Sequence, residues 1–164
     1  MANTYTLIAS STVGLLGAST VVFSSIPSTY TDLKIVCSTR TATAAIGDAV
    51  YLALAGTLSA KRLYGNGATA ASDTDYYGAW NSGTTATSST FGNTEFYIPN
   101  YAGSTAKSFS SDSVSENNAT TAYASLIAHL STSTSAISSI TLGTESGSNF
   151  VQYSSFYLYG VKNA

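Results

Sequence analysis

The sequence predicts an all-β chain: an antiparallel β-sandwich, jelly-roll-like, with one long Gly/Ser/Thr-rich loop over about 65–90. Three observations lead there. Charged residues make up only 9% of the 164-residue chain, against about 25% in ordinary domains, while Ser and Thr together supply roughly a third. β-Branched and aromatic residues abound and the straight-chain helix formers are scarce, which favours strands. Short apolar alternations recur between Gly, Asn, Ser and Pro breaks, and together they need more surface than one flat sheet covers, so two packed sheets are expected.

Taken in order, strands are expected at Tyr5–Ala9, Ser19–Ser24, Asp32–Arg40, Asp48–Leu54, Leu58–Tyr64, Thr94–Ile98, Ala106–Ser113, Thr120–Leu130, Ser138–Leu142 and Val151–Val161. In the third, Leu33, Ile35 and Cys37 alternate with Lys34, Val36 and Ser38, giving one apolar and one mixed face. In the fourth, Val50, Leu52 and Leu54 oppose Tyr51 and Ala53, and in the last Phe156 and Leu158 oppose Ser155, Tyr157 and Tyr159. Such alternation belongs to antiparallel sheets with one covered face.

The segment 119–130 reads two ways. Tyr123, Leu126, Ile127 and Leu130 have helical spacing behind Asn117 and Asn118, but Thr120, Thr121, Tyr123, Leu126, Ala128 and Leu130 fit a bulged period of two, and a strand is expected. Ile26-Pro27-Ser28-Thr29-Tyr30 and Ile98-Pro99-Asn100-Tyr101-Ala102-Gly103 read as turns. Gly65 to Thr90 holds no convincing strand, and loops of that length tend to be functional or mobile. No linker or internal repeat divides the chain, so one domain over 1–164 is expected.

The same composition narrows the chemistry. A net charge of −2 offers no electrostatic footprint for nucleic acid or an anionic membrane. No apolar run approaches a membrane span and the N-terminus lacks the pattern of a secretion signal, so a soluble protein made in a cytoplasm is expected. Cys37 is the single cysteine, which precludes an intramolecular disulfide, and it reads as a core residue. His129 is the single histidine and has no Gly-x-Ser-x-Gly partner sequence, so it reads as a structural side chain at a strand edge or on the solvent face. The acidic residues are scattered, and no phosphate-cradling glycine pattern is present. Asp73 and Asp75 form the one close acidic pair. It could hold Ca²⁺ but reads as a solvated turn. Asn118-Ala119-Thr120 matches a glycosylation acceptor in form alone. No catalytic residue, cofactor or metal is expected.

Contact is the function this composition suits. Tyr76, Tyr77 and Trp80 crowd the long loop, where their rings could stack on sugars, anchor a protein partner, or fold back over the sandwich.

Met1–Gly14, Ile26-Pro27-Ser28-Thr29-Tyr30-Thr31-Asp32-Leu33, Arg62-Leu63-Tyr64-Gly65-Asn66-Gly67, Asn93 to Tyr101 with Gly103, Glu116 to Thr120, Phe150 to Ser154 and Leu158 to Lys162 resemble a family of small virion structural proteins from marine tailed bacteriophages, including phages of cyanobacteria. Ile98-Pro99-Asn100-Tyr101-Ala102-Gly103 is the most distinctive block and adds Tyr101 to the contact candidates. The resemblance implies a non-enzymatic structural role on the particle and a jelly-roll-like sandwich, made in the host bacterial cytoplasm with other virion proteins as partners; a homo-oligomer is expected with the decoration-protein reading. Leu15-Leu16 departs from the family pattern, where small residues are usual, and so suggests a contact surface particular to this chain. A capsid decoration or cement protein is the first functional expectation. A tail-fibre or spike adhesin contacting host glycans or proteins is the alternative.

Overall fold

The computed structural model describes residues 4–74, 78–116 and 122–162. These form the strands β1 Tyr5–Thr12, β2 Thr20–Phe23, β3 Asp32–Thr39, β4 Gly47–Ala53, β5 Leu58–Gly65, β6 Ala70–Thr74, β7 Ala79–Ser82, β8 Gly92–Ile98, β9 Lys107–Glu116, β10 Ala122–Ser131, β11 Ile140–Thr144 and β12 Ser155–Val161. One sheet runs β1-β12-β3-β8-β9-β10-β5-β6 and the other β2-β11-β4-β7.

The pairing is nested. β1 pairs with β12, β2 with β11, β3 with β8 and β4 with β7, all antiparallel. Folding such a nested set over itself gives two facing four-stranded sheets, β1-β12-β3-β8 and β2-β11-β4-β7, which is jelly-roll order. Two insertions depart from the minimal pattern. β5 and β6 lie between β4 and β7 in the chain, β9 and β10 between β8 and β11. Together they extend the first sheet past β8 in the order β9-β10-β5-β6.

The core forms where the alternating residues of the two four-stranded units meet. Leu33, Ile35 and Cys37 of β3, Phe96 and Ile98 of β8, and Phe156 and Leu158 of β12 face Val21 and Phe23 of β2, Val50 and Leu52 of β4, and Ile140 and Leu142 of β11. Each such side chain contributes about 1.5–3 kcal/mol on burial. Phe150, in the turn before β12, sets its ring edge-on to Phe156 at 4.9 Å. Burial also raises the Cys37 thiol well above its ordinary pKa, so it packs as a neutral side chain. β12 needs a glycine at position 160, because a Cβ there would fall 2.3 Å from the Tyr30 ring.

Three expectations are corrected. The stretch 65–90 is not one loop: Asn66 Oδ1 accepts from the Ala68 and Thr69 amides to close a turn between β5 and β6, and β7 follows. Ala, Ser, Asp and Asn dominate these two short segments and carry weak strand signals, so both strands were illegible. The last strand starts at Ser155, because 151–154 turn, with Tyr153 at φ 72°. The third correction concerns Tyr101, which is fully buried. Its hydroxyl donates to the Pro27 carbonyl and accepts from the Tyr30 amide, stapling the two proline turns together. A side chain so placed offers no surface to a partner.

One buried charge organises a long connection. Arg40 donates to the carbonyls of Thr87, Thr90, Thr84 and Ala86 at 2.7–3.2 Å, closing segment 83–91 around its guanidinium. Among the described residues no carboxylate pairs with it. Arg40→Met keeps the side-chain stem and removes every donor. We expect it to lower stability by about 2–4 kcal/mol and to open 83–91 to limited proteolysis before global unfolding. Denaturant titration and mapping of the first cleavage check both; unchanged stability with first cleavage elsewhere would refute the role.

Candidate contact surface

Outward-facing residues of the extended sheet fall into rows across the strands. One row runs Tyr159, Lys34, Tyr97, Ser110, Ala128, Lys61 and Thr74, and the next Tyr157, Val36, Glu95, Asp112, Leu126, Leu63 and Ser72. A third holds Val114, Ala124, Gly65 and Ala70. β10 stands out. Its outward residues Ala124, Leu126, Ala128 and Leu130 are all apolar, while Ser125, His129 and Ser131 point inward and are buried. Leu126 is 56% exposed and Leu63 beside it on β5 is 61% exposed. Shallow hollows on both flanks of Leu126 are lined by Leu63, Ala128, Val114 and Tyr97.

Beneath this face the hairpin of β9 and β10 is held by hydroxyls. Ser113 and Ser125 share a hydrogen bond of 2.7 Å, Ser111 bonds His129 Nε2 at 2.9 Å, and Ser115 bonds Ser82 of β7 at 2.9 Å. The Phe109 ring lies flat on the His129 ring at 4.5 Å. His129 thus lies inside the sheet, not at an edge or on the solvent face. Desolvation pushes its pKa down from 6.5 to about 4. It is a packing residue, and Ser111 beside it has no open space in which to meet a substrate.

Other groups that could carry chemistry are likewise committed to structure. Asp73 accepts from Arg62 Nη2 at 2.5 Å and Nε at 3.1 Å, so it is engaged in an ion pair with β5. Its sequence partner Asp75 lies outside the described residues. Asp48 accepts from the Thr43 hydroxyl, the Ser146 hydroxyl and the Ala49 amide at 2.5–2.8 Å, clamping two loops. The buried Lys107 ammonium donates to the carbonyls of Gly103 and Thr105. Among the described residues no three His, Cys, Asp or Glu side chains converge on a metal-sized site.

The aromatic candidates divide. Tyr76 and Tyr77 lie outside the described residues. Trp80 sits on β7 and is half-buried, its ring stacked on Tyr123 at 4.2 Å with the Arg62 guanidinium 5.6 Å from its centroid. It braces the edge of the small sheet against β10, which is the fold-back reading for Trp80 itself. Leu15 and Leu16 are 80% and 93% exposed at the tip of the β1–β2 turn. That turn closes with Gly17 N donating to Gly14 O, and Gly17 takes φ 73°. Its stem is rigid: Val13 N bonds Ser154 O, Tyr153 N bonds Val13 O, and Ala18 and Phe150 exchange both backbone bonds. The same stem carries the exposed Tyr153 in a left-handed conformation that costs about 1–3 kcal/mol outside glycine. The β10 face went unread in the sequence, where period-two spacing separates its two sides without saying which is covered.

A pH dependence follows from His129. The folded chain holds it neutral while the unfolded chain takes a proton below pH 6.5, so stability falls as pH drops from 6.5 toward about 4. The loss attributable to it reaches up to about 3 kcal/mol. Urea unfolding at pH 7 and pH 4.5 should show a larger difference for the native chain than for His129→Gln. Equal differences would remove His129 as the cause.

Comparison with protein-family models, with curated proteins and with solved structures finds no match for this chain.

Proposed function

We propose that this chain is a non-enzymatic structural protein of a bacteriophage virion, a decoration or cement protein that binds the outer face of the capsid shell. The observation that carries the reading is the Leu15–Leu16 tip: two large apolar side chains almost wholly in solvent, on a stem held by paired backbone bonds. Exposed leucines on a pre-ordered turn lose little conformational entropy on docking, so most of their transfer free energy is available for binding. Each fully buried leucine is worth about 1.5–3 kcal/mol, enough for weak single contacts. Many copies on a repeating lattice convert such contacts into firm attachment. A protein that binds only the assembled shell stabilises it by mass action. The commitment of His129, Asp48, Asp73 and Lys107 to structural bonds supports the non-enzymatic part.

Purified particles carrying the protein supply the test. Quantitative mass spectrometry should count on the order of hundreds of copies per particle, as avidity over a repeating shell requires. Stripping it should lower the temperature of capsid disruption, and adding back the native chain should restore it. Leu15→Ser/Leu16→Ser should fold normally and fail to restore it. A count of a few or tens would put the protein on the tail or a spike, and a stripped shell of unchanged stability would end the cement reading.

A further inference from the structure

We infer that the outer face of β10, with the flanking faces of β5 and β9, is a two-fold interface that binds a second copy of this chain. The inference stands independently of the virion reading, because it rests on a different surface.

The polarity of β10 is the starting point. A strand with a solvated outer face carries its apolar residues inward, yet here Ala124, Leu126, Ala128 and Leu130 face out, above a buried row in which the core residue Ile127 stands among Ser125, His129 and Ser131. Leu63 on one side and Val114 on the other extend the apolar strip across both neighbouring strands. Contiguous apolar area of this kind on a soluble domain marks an interaction site.

Charge selects the partner. Glu95 and Asp112 stand directly opposite in the β8–β9 pairing, an arrangement that is unfavourable unless neutralised. Lys34 bonds Glu95 at 2.7 Å. Asp112 forms no ion pair among the described residues, and neither does Lys61, which is exposed on β5. The two lie on opposite sides of β10: Asp112 is level with Leu126, and Lys61 is level with Ala128. A two-fold axis passing over β10 carries β5 of one copy onto β9 of the other. Lys61 of each copy then approaches Asp112 of its mate, with the apolar strand between them. An isologous interface demands this reciprocity. Among the described residues, a strip with a cation free of ion pairs on one flank and, on the other, an anion that Lys34 only partly offsets is complementary to itself.

The size fits. Strands about 4.8 Å apart and rising about 3.4 Å per residue give the five strands from β8 to β6 a face of roughly 600 Å² in projection. That approaches the roughly 800 Å² per partner of a standard interface.

The full chain, purified and followed by sedimentation equilibrium between about 1 and 100 μM, a range suited to micromolar association, should be a dimer at the upper end. Leu126→Lys should be monomeric with an unchanged far-UV spectrum. Lys61→Asp and Asp112→Lys should each weaken association at least tenfold, and the double variant Lys61→Asp/Asp112→Lys should regain most of it. That rescue separates a charge contact from a folding defect. A native chain that stays monomeric throughout overturns the inference. So does a dimer indifferent to Leu126→Lys, or single charge variants that the double does not rescue. A monomer whose β10 face becomes protected only on capsids would assign the face to the shell, and would equally overturn it.

Discussion

The two sheets are unequal, and much of the molecule follows from that inequality. β2-β11-β4-β7 opposes β1-β12-β3-β8, and the dense apolar core lies between them. β9, β10, β5 and β6 continue the larger sheet beyond this pairing, where β7 of the small sheet leans across β8, β9 and β10. With so little opposing apolar surface, the inner side of the overhang is closed differently. Serine hydroxyls bond one another in pairs, His129 stacks on Phe109, and Trp80 bridges from β7 to Tyr123. Paired hydroxyls cost little when each has its partner. Apart from Tyr123 and Ile127, which face in, the apolar residues of β10 are left on the other side of the strand, facing out.

Scarcity of charge looks different once each charged group is located. Arg40 gathers four carbonyls of segment 83–91, Arg62 is held by Asp73 and lies over the Tyr64 ring, Asp48 clamps two loops, and Lys107 caps the turn before β9. Asp32 accepts from the Tyr97 hydroxyl and the Asn100 amide, and so anchors the second proline turn. Charge-assisted hydrogen bonds are the strong ones, more so away from water. These buried or half-buried ionic groups tie loops and strands together, while the solvent-facing surface carries hydroxyls, tyrosines and leucines with a few charges such as Lys61 and Asp112 among them.

The alternation of Leu33, Ile35 and Cys37, of Val50 and Leu52, and of Phe156 and Leu158 was enough to place three core strands and their inward faces. Strong period-two signals with large apolar residues announce both structure and orientation. β10 was legible as a strand in preference to a helix, but its orientation was not. Its apolar and polar sides differ clearly, and only the tertiary arrangement puts the apolar one outside. Tyr101 misled because it entered as a contact candidate with its distinctive block, whereas the carbonyl that holds it, at Pro27, lies 74 residues away in sequence. β6 and β7 were hidden for a simpler reason. Small residues pair well when neighbouring strands supply the ladder, and carry almost no signal alone.

Edges offer the competing route to association, and they are guarded. An open sheet invites pairing along its outermost strands unless these are short, bulged or charged. β1, the long edge, slips register between Leu7 and Ala9, which disrupts the regular outer ladder a new strand would need. β6, the other edge of this sheet, has five described residues and turns the charged Asp73 toward Arg62. Neither edge offers a long flat template. What remains open is the face of the sheet, through β10, and the leucine tip between β1 and β2. Face-to-face contact through side chains tolerates the hydroxyl-rich composition, because it needs no unpaired backbone and can close with two copies. Head-to-tail association by edges would propagate without limit, and the bulge in β1 opposes it.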